Sequence, residues 1–180
     1  AALNFLITGI SAVGFPYTVR TALGFGATVY GVADGLVGVA GTVGALVAGL
    51  FAAKLTMRRF PAAMAALTAC LAPQGIAFLL PIGAWARLAA LVTFTCGTMI
   101  ACCFTNLIAI PAIQMSTPEA MTGKVMAMTS AIAMCAQPLG QMIYGWAYDR
   151  FSVAAVLLAT AAAAALLTAA MAPLSKRFGC

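Results

Sequence analysis

The sequence predicts an all-α polytopic membrane protein, a bundle of six transmembrane helices, and three observations lead there. Of its 180 residues 64% are hydrophobic and only 7% charged, with a mean hydropathy of +1.09; a water-soluble domain carries roughly a quarter charged residues. Charges and turn residues divide the chain into six apolar stretches, roughly 3–22, 28–53, 61–82, 85–111, 119–146 and 151–173. Each is near the ~20 residues a helix needs to cross ~30 Å of hydrocarbon. The stretches are continuous and lack the alternation of a barrel strand, so helices are the expected spanning form. With connections this short, residues 1–180 read as a single six-helix domain.

In the first span Asn4, Thr8, Ser11, Phe15 and Thr18 recur at i, i+4, i+7, i+11 and i+14, one face of a helix. Such a stripe faces either a neighbouring helix or a water-filled cavity. Pro16 is expected to disturb the helix. The second span carries Gly31, Gly35, Gly38, Gly41, Gly44 and Gly49; small residues at that spacing let two helix backbones approach closely. Pro73, Gly75 and Pro81 interrupt the third, whose polar content is little more than Gln74, and it reads as a supporting helix. The fourth shows Thr95, Thr98, Cys102 and Thr105 on one face, with Asn106 beside it and Pro111 near its end.

The fifth span has the clearest start. Ser116, Pro118 and Glu119 form an S-x-x-E helix opening, with proline where its missing N–H costs nothing. No charge follows from Val125 to Trp146, and Asp149-Arg150 ends the run. Ser130, Met134, Gln137 and Gln141 share one face, interrupted by Pro138, and Gly140 and Gly145 offer close helix contact. The sixth span is nearly pure Ala and Leu. Spans one, four and five therefore read as cavity helices, three and six as outer ones. Gly44-x4-Gly49 before one loop and Gly140-x4-Gly145 before an opposite one hint at three-helix repeats of inverted direction.

The net charge of +6 is a topological signal. Lys54, Arg58, Arg59, Lys124, Lys176 and Arg177 fall at one set of loop ends, against Arg20, Arg87 and Arg150 at the other. The positive-inside rule makes the first set cytoplasmic and both termini with it. Every Tyr and Trp lies near the opposite ends, as an interfacial belt would. Enzyme chemistry has no footing. The chain has no His, its three acids are Asp34, Glu119 and Asp149, and no CxxC occurs among its six Cys. No cofactor, metal or nucleic-acid partner is expected, and no nucleotide motif is present.

Residues across most of the chain resemble the C-terminal six-helix half of a major facilitator superfamily transporter. Within it they most resemble the drug and siderophore exporter branch that includes the enterobactin exporter and macrolide-efflux proteins. Pro118-Glu119, then Gly123-Lys124-Val125, Pro138-Leu139-Gly140 and Gly145-x3-Asp149 resemble the loop and eleventh helix of that branch. Tyr30-Gly31 leading into the glycine-rich span resembles its eighth helix, and Gly49 to Arg59 the loop that follows. Thr122 and Lys124 stand where the branch has Arg, and Ala53 where the full motif has Asp.

The resemblance implies a secondary transporter of the bacterial inner membrane, a proton-coupled antiporter working by alternating access. Its partners would be the bilayer, a small-molecule substrate and an N-terminal six-helix half. The implied cavity wall is Asn4, Thr8, Ser11, Phe15, Asn106, Met134, Gln137 and Gln141: polar but uncharged, suited to a neutral or amphipathic organic molecule. The chain opens almost inside a span, so a piece of a longer protein is expected. The other readings are a self-sufficient homodimeric carrier and a non-transporting scaffold. Asp34 is the one acid within a span. Counting back from Lys54 sets it about 30 Å away, at the outer interface, near Arg20. An outer-gate ion pair between Arg20 and Asp34 is expected, with proton coupling the competing role.

Overall fold

Short turns join a chain that is otherwise helical, with no strand among the described residues. The computed structural model describes residues 2–52 and 55–177. Ala53, Lys54 and Cys180 lie outside the described residues, as do the side chains at 3, 4, 172 and 174–177, which include Asn4, Lys176 and Arg177. The first helix, α1, covers residues 2–22; it is α-helical over Ala2–Gly9 and Phe15–Tyr17, with π turns at Ile10–Gly14 and Thr18–Ala22. Then come α2 (Ala27–Leu50), α3 (Phe60–Leu79, after a 3-10 turn at Met57–Arg59), α4 (Ala84–Met115), α5 (Glu119–Arg150) and α6 (Val153–Arg177).

Four helices, Ala27–Leu50, Met57–Leu79, Ala84–Met115 and Val153–Met171, are long and apolar enough to cross a membrane. They mark an integral membrane protein. Interruption by the two π turns sets α1 apart from these four, and the Ser, Thr and Gln content of α5 dilutes its apolarity. Prolines set two of the boundaries. Leu80 adopts an extended conformation (φ −78°, ψ 143°), the one favoured before a proline, and α3 ends at Leu79 rather than at 82. Pro16 lies just past the first π turn, separated from it by Phe15. A proline has no N–H to give the carbonyl four residues back, and the wider turn takes up that break.

Consecutive helices run back and forth, and the pairings are specific. α3 packs on α4 and α6, α2 packs on α4, and α1 packs on α5. The α1–α5 contact is built from small residues receiving large ones. A Cβ at Gly140 would sit 2.7 Å from the Phe5 carbonyl oxygen, and one at Gly14 would sit 2.6 Å from the Tyr148 hydroxyl; Gly9 packs directly under the Tyr144 ring. Tyr144 and Tyr148 are one α turn apart, but Gly9 and Gly14 are five residues apart. The π turn at Ile10–Gly14 supplies that extra residue and brings both glycines onto one face. Residues 5, 9 and 14 thus meet 140, 144 and 148 in ascending order, so α1 and α5 run parallel.

The same comparison gives α2 parallel to α4, through Cys96 to the Leu36 carbonyl and Cys103 to the Gly41 carbonyl. It gives α3 antiparallel to α6, where Gly75 abuts Leu158 and Thr68 meets Thr168 at 3.2 Å. The centre is apolar: Leu6, Ile10, Leu67, Leu71, Tyr148 and Leu157 form its largest cluster. Phe15, Val19 and Leu88 seal one end, and Phe60, Met64 and Ile108 the other.

Candidate functional site

Among the described residues, Thr8, Ser11, Phe15, Asn106, Met134, Gln137 and Gln141 do not line one common cavity. Phe15 is 3% exposed and packs with Val19, Ala33, Leu88 and Leu91, so it is a core residue and not a wall residue. The cause is the π turn before it. One extra residue in a turn rotates everything that follows by about 100° relative to a regular α-helix, which takes Phe15 and Thr18 off the face of Thr8 and Ser11 and into the bundle. Thr8 is half-buried. Ser11 turns inward, onto a small enclosed cavity that it shares with Gln74, Thr95, Thr98 and Met99.

That internal polar cluster accounts for the stripe on α4. Thr95, Thr98 and Thr105 are buried. Thr98 and Thr105 donate to the carbonyls of Phe94 and Ala101, at 2.9 and 2.8 Å, and Gln74 Nε2 donates to Thr98 Oγ1 at 3.2 Å. Thr98 and Thr105 are thereby satisfied without water or substrate, whereas the buried Thr95 Oγ1 and Gln74 Oε1 have no hydrogen-bond partner among the described residues. On this helix the stripe is therefore a packing face, with Asn106 alone on the exposed side, donating to Cys102 Sγ at 3.5 Å. Gln74, which looked like an isolated polar residue in a supporting span, is the centre of this cluster; its spacing from Thr98 gave no sequence signal.

What remains outward-facing is concentrated on α2 and α5, and each of these helices has three faces. On α2 the buried face is Ala33, Gly44 and Ala48. A second face, Gly31, Gly35, Gly38, Thr42, Ala45 and Gly49, is small and wholly exposed, and a third, Val32, Leu36, Val39, Leu46 and Leu50, is large, aliphatic and exposed. On α5 the buried face is Gly140, Tyr144 and Tyr148. Beside it run Gly123, Ser130, Met134, Pro138 and Gln141, all exposed, with Gln137 half-buried at their edge. Its third face is Met121, Met128, Ile132, Leu139, Ile143 and Trp146, exposed and large. Viewed from each N-terminus, the faces follow in the same rotational order on both helices.

The glycines divide accordingly. A Cβ on Gly44 would lie 2.9 Å from Ile100 Cα, and Gly140 meets Phe5, so these two are helix contacts as expected. Gly31, Gly35, Gly38, Gly41 and Gly145 have nothing within 4 Å of a Cβ, so an added side chain there would meet no helix of this chain, although the Gly41 carbonyl accepts from Cys103 on α4. Four further glycines, Gly9, Gly14, Gly75 and Gly97, also bring helices together, and a search for repeated small residues could not find them because each meets a single residue of another helix: Tyr144, Tyr148, Leu158 and Cys70.

The loop between α4 and α5 differs from expectation in one detail. Ser116 Oγ donates back to the carbonyls of Ala112 and Ile113, at 2.8 and 3.1 Å. It closes the end of α4 and does not cap α5. Pro118 precedes α5 directly, and Glu119 sits in its first turn, where a carboxylate opposes the positive end of the helix dipole. Glu119, Gly123 and Lys124 are exposed. Arg20 and Asp34 are also exposed, and Arg20 borders an open groove with Pro16, Tyr17, Thr21 and Phe25. Asp34 lies seven residues below the start of α2, about 10 Å along its axis. No family model matches the chain, and neither does any of the curated proteins or solved structures with which it was compared.

Proposed function

We propose that this chain is the C-terminal half of a secondary active transporter of the major facilitator type, exporting neutral or amphipathic small organic molecules by proton-coupled alternating access. The observation that carries the reading is the matched pair of unpartnered faces on α2 and α5. Each places a small or polar face next to a large aliphatic one. Large aliphatic side chains suit lipid, whereas small and polar ones in a membrane suit another helix or a water-filled passage. Two helices carrying the same order of faces suit inverted three-helix repeats. The pairings support this too: exchanging α1–α3 with α4–α6 turns the α1–α5 contact into α4–α2 and maps α3–α6 onto itself.

On this reading Met134, Gln137 and Gln141 form this half's share of the substrate wall, Ser11 and Thr8 stand behind them, and Arg20 and Asp34 guard the outer mouth. The missing wall comes from an N-terminal half. A second copy of this chain is the other occupant that would cover both faces. Efflux from cells is the test: an uncharged amphipathic dye should leave cells expressing the intact protein faster than controls. Gln137→Leu with Gln141→Leu should slow it at least about tenfold, as expected when a site's paired polar groups are lost. A protein present in the membrane whose efflux the double substitution leaves unchanged has no substrate wall there.

A further inference from the structure

We propose that the groove between α3 and α4 binds one anionic phospholipid, with its headgroup at Arg59 and an acyl chain along the groove floor. The groove holds about 410 Å³ and is lined by Arg59, Ala62, Ala66 and Cys70 on one side and by Gly97 and Phe104 among others on the opposite side. Ala62, Ala66 and Cys70 recur every fourth residue, one row of α3, and having only small side chains they leave a furrow that Phe104 and its neighbours wall. The furrow closes where the helices touch: a Cβ on Gly97 would be 2.9 Å from Cys70 Sγ.

Dimensions select the occupant. Arg59 to Cys70 is eleven residues, about 16 Å along the axis, and half of a ~30 Å hydrocarbon core is about 15 Å. The groove therefore runs from the headgroup level to the bilayer midplane and stops. A transmembrane helix spans the whole ~30 Å core and would run on past Gly97 and Cys70, where the furrow closes; an acyl chain fills one leaflet and ends there.

Charge selects the headgroup. Arg58 and Arg59 are both exposed at the open end, and the three acids of the chain, at 34, 119 and 149, are not in the lining. A guanidinium binds phosphate through two parallel hydrogen bonds, and basic residues at the headgroup level favour anionic lipids. The proposal needs the chain to lie in a membrane and does not depend on the transport reading.

Native mass spectrometry of the intact protein, exchanged into mixtures of phosphatidylglycerol and phosphatidylcholine with identical acyl chains, tests it. The protein should retain phosphatidylglycerol about fivefold in preference, the worth of one basic residue at the surface. Arg59→Gln should bring the ratio close to one, while Lys124→Gln, a basic residue on α5 outside the groove lining, should leave it unchanged. Ala66→Phe, or the milder Ala62→Leu should the first not fold, should abolish retention of both lipids by filling the furrow. Glycerol phosphate, which has the headgroup chemistry without a chain, should not displace the lipid. An unchanged ratio in Arg59→Gln, an equal effect of Lys124→Gln, or displacement by glycerol phosphate overturns the proposal.

Discussion

Gly140→Ala isolates the contact on which the α1–α5 pair depends. The added Cβ would lie 2.7 Å from the Phe5 carbonyl oxygen, against 3.4 Å for ordinary van der Waals contact, a deficit of 0.7 Å (3.4 − 2.7). The obstacle is backbone and no rotamer change relieves it, so α1 must move away from Tyr144 and Tyr148. Overpacking of this kind costs about 1–3 kcal/mol. Replacing Gly by Ala inside a helix returns about 1 kcal/mol through propensity. Gly38→Ala supplies the reference, because nothing lies within 4 Å of its Cβ and only the propensity gain applies. The propensity effect cancels between the two, leaving a difference of about 1–3 kcal/mol. At about 2–4 °C per kcal/mol for a chain of this size, Gly140→Ala should melt several degrees below Gly38→Ala. Thermal unfolding in detergent, followed by circular dichroism, reads the difference. Equal midpoints, or a higher one for Gly140→Ala, would refute the close approach of α1 and α5.

Gly38→Leu should leave the thermal midpoint of the 180-residue chain at, or a few degrees above, that of the parent, since the site is open and the helix gains propensity, and yet abolish efflux by the intact protein. Full efflux in that variant would assign the small face of α2 to lipid. Tyr144→Phe removes a 2.7 Å hydrogen bond to Thr160 Oγ1 and should cost about 1 kcal/mol, read as a lower melting midpoint; an unchanged midpoint would mean that the bond contributes nothing. Asp34→Arg should impair efflux, and adding Arg20→Asp should restore part of it. If the swap rescues nothing while Asp34→Asn alone abolishes proton-linked efflux, Asp34 is the coupling residue and the gate is wrong. Membrane-impermeant thiol reagents applied to intact cells should leave Cys180 unlabelled; labelling from outside would invert the topology drawn from the basic loops.

Helix positions were readable because uncharged length and turn residues are local properties of the chain. All six stretches start within about two residues of their helices, and three of the ends that differ have local reasons: Pro81 favours an extended Leu80, and α4 and α5 run on past their apolar stretches to Met115 and Arg150. Faces were less readable. The rule that residues at i, i+4 and i+7 share a side failed on α1 because π turns reset its register, and Phe15 went from wall to core. On α4 the rule identified the face but not its surroundings. Threonines lining an aqueous cavity and threonines bonded to their own carbonyls present the same pattern, and only packing against Gln74 distinguishes them. The glycine row on α2 shows the reverse case. Its small face was legible, but spacing says nothing about which chain covers it.

Lipid accessibility of the two exposed faces of α2 tests the central claim most directly. Spin labels introduced singly at Val39 and Leu46, on the aliphatic face, and at Gly35 and Thr42, on the small face, would be compared in the intact protein in bilayers through collisions with dissolved oxygen. The proposed architecture predicts high oxygen accessibility at Val39 and Leu46 and strong shielding at Gly35 and Thr42, where the other half of the transporter lies. Equal, high accessibility at all four positions would leave both faces of α2 in lipid and would contradict it.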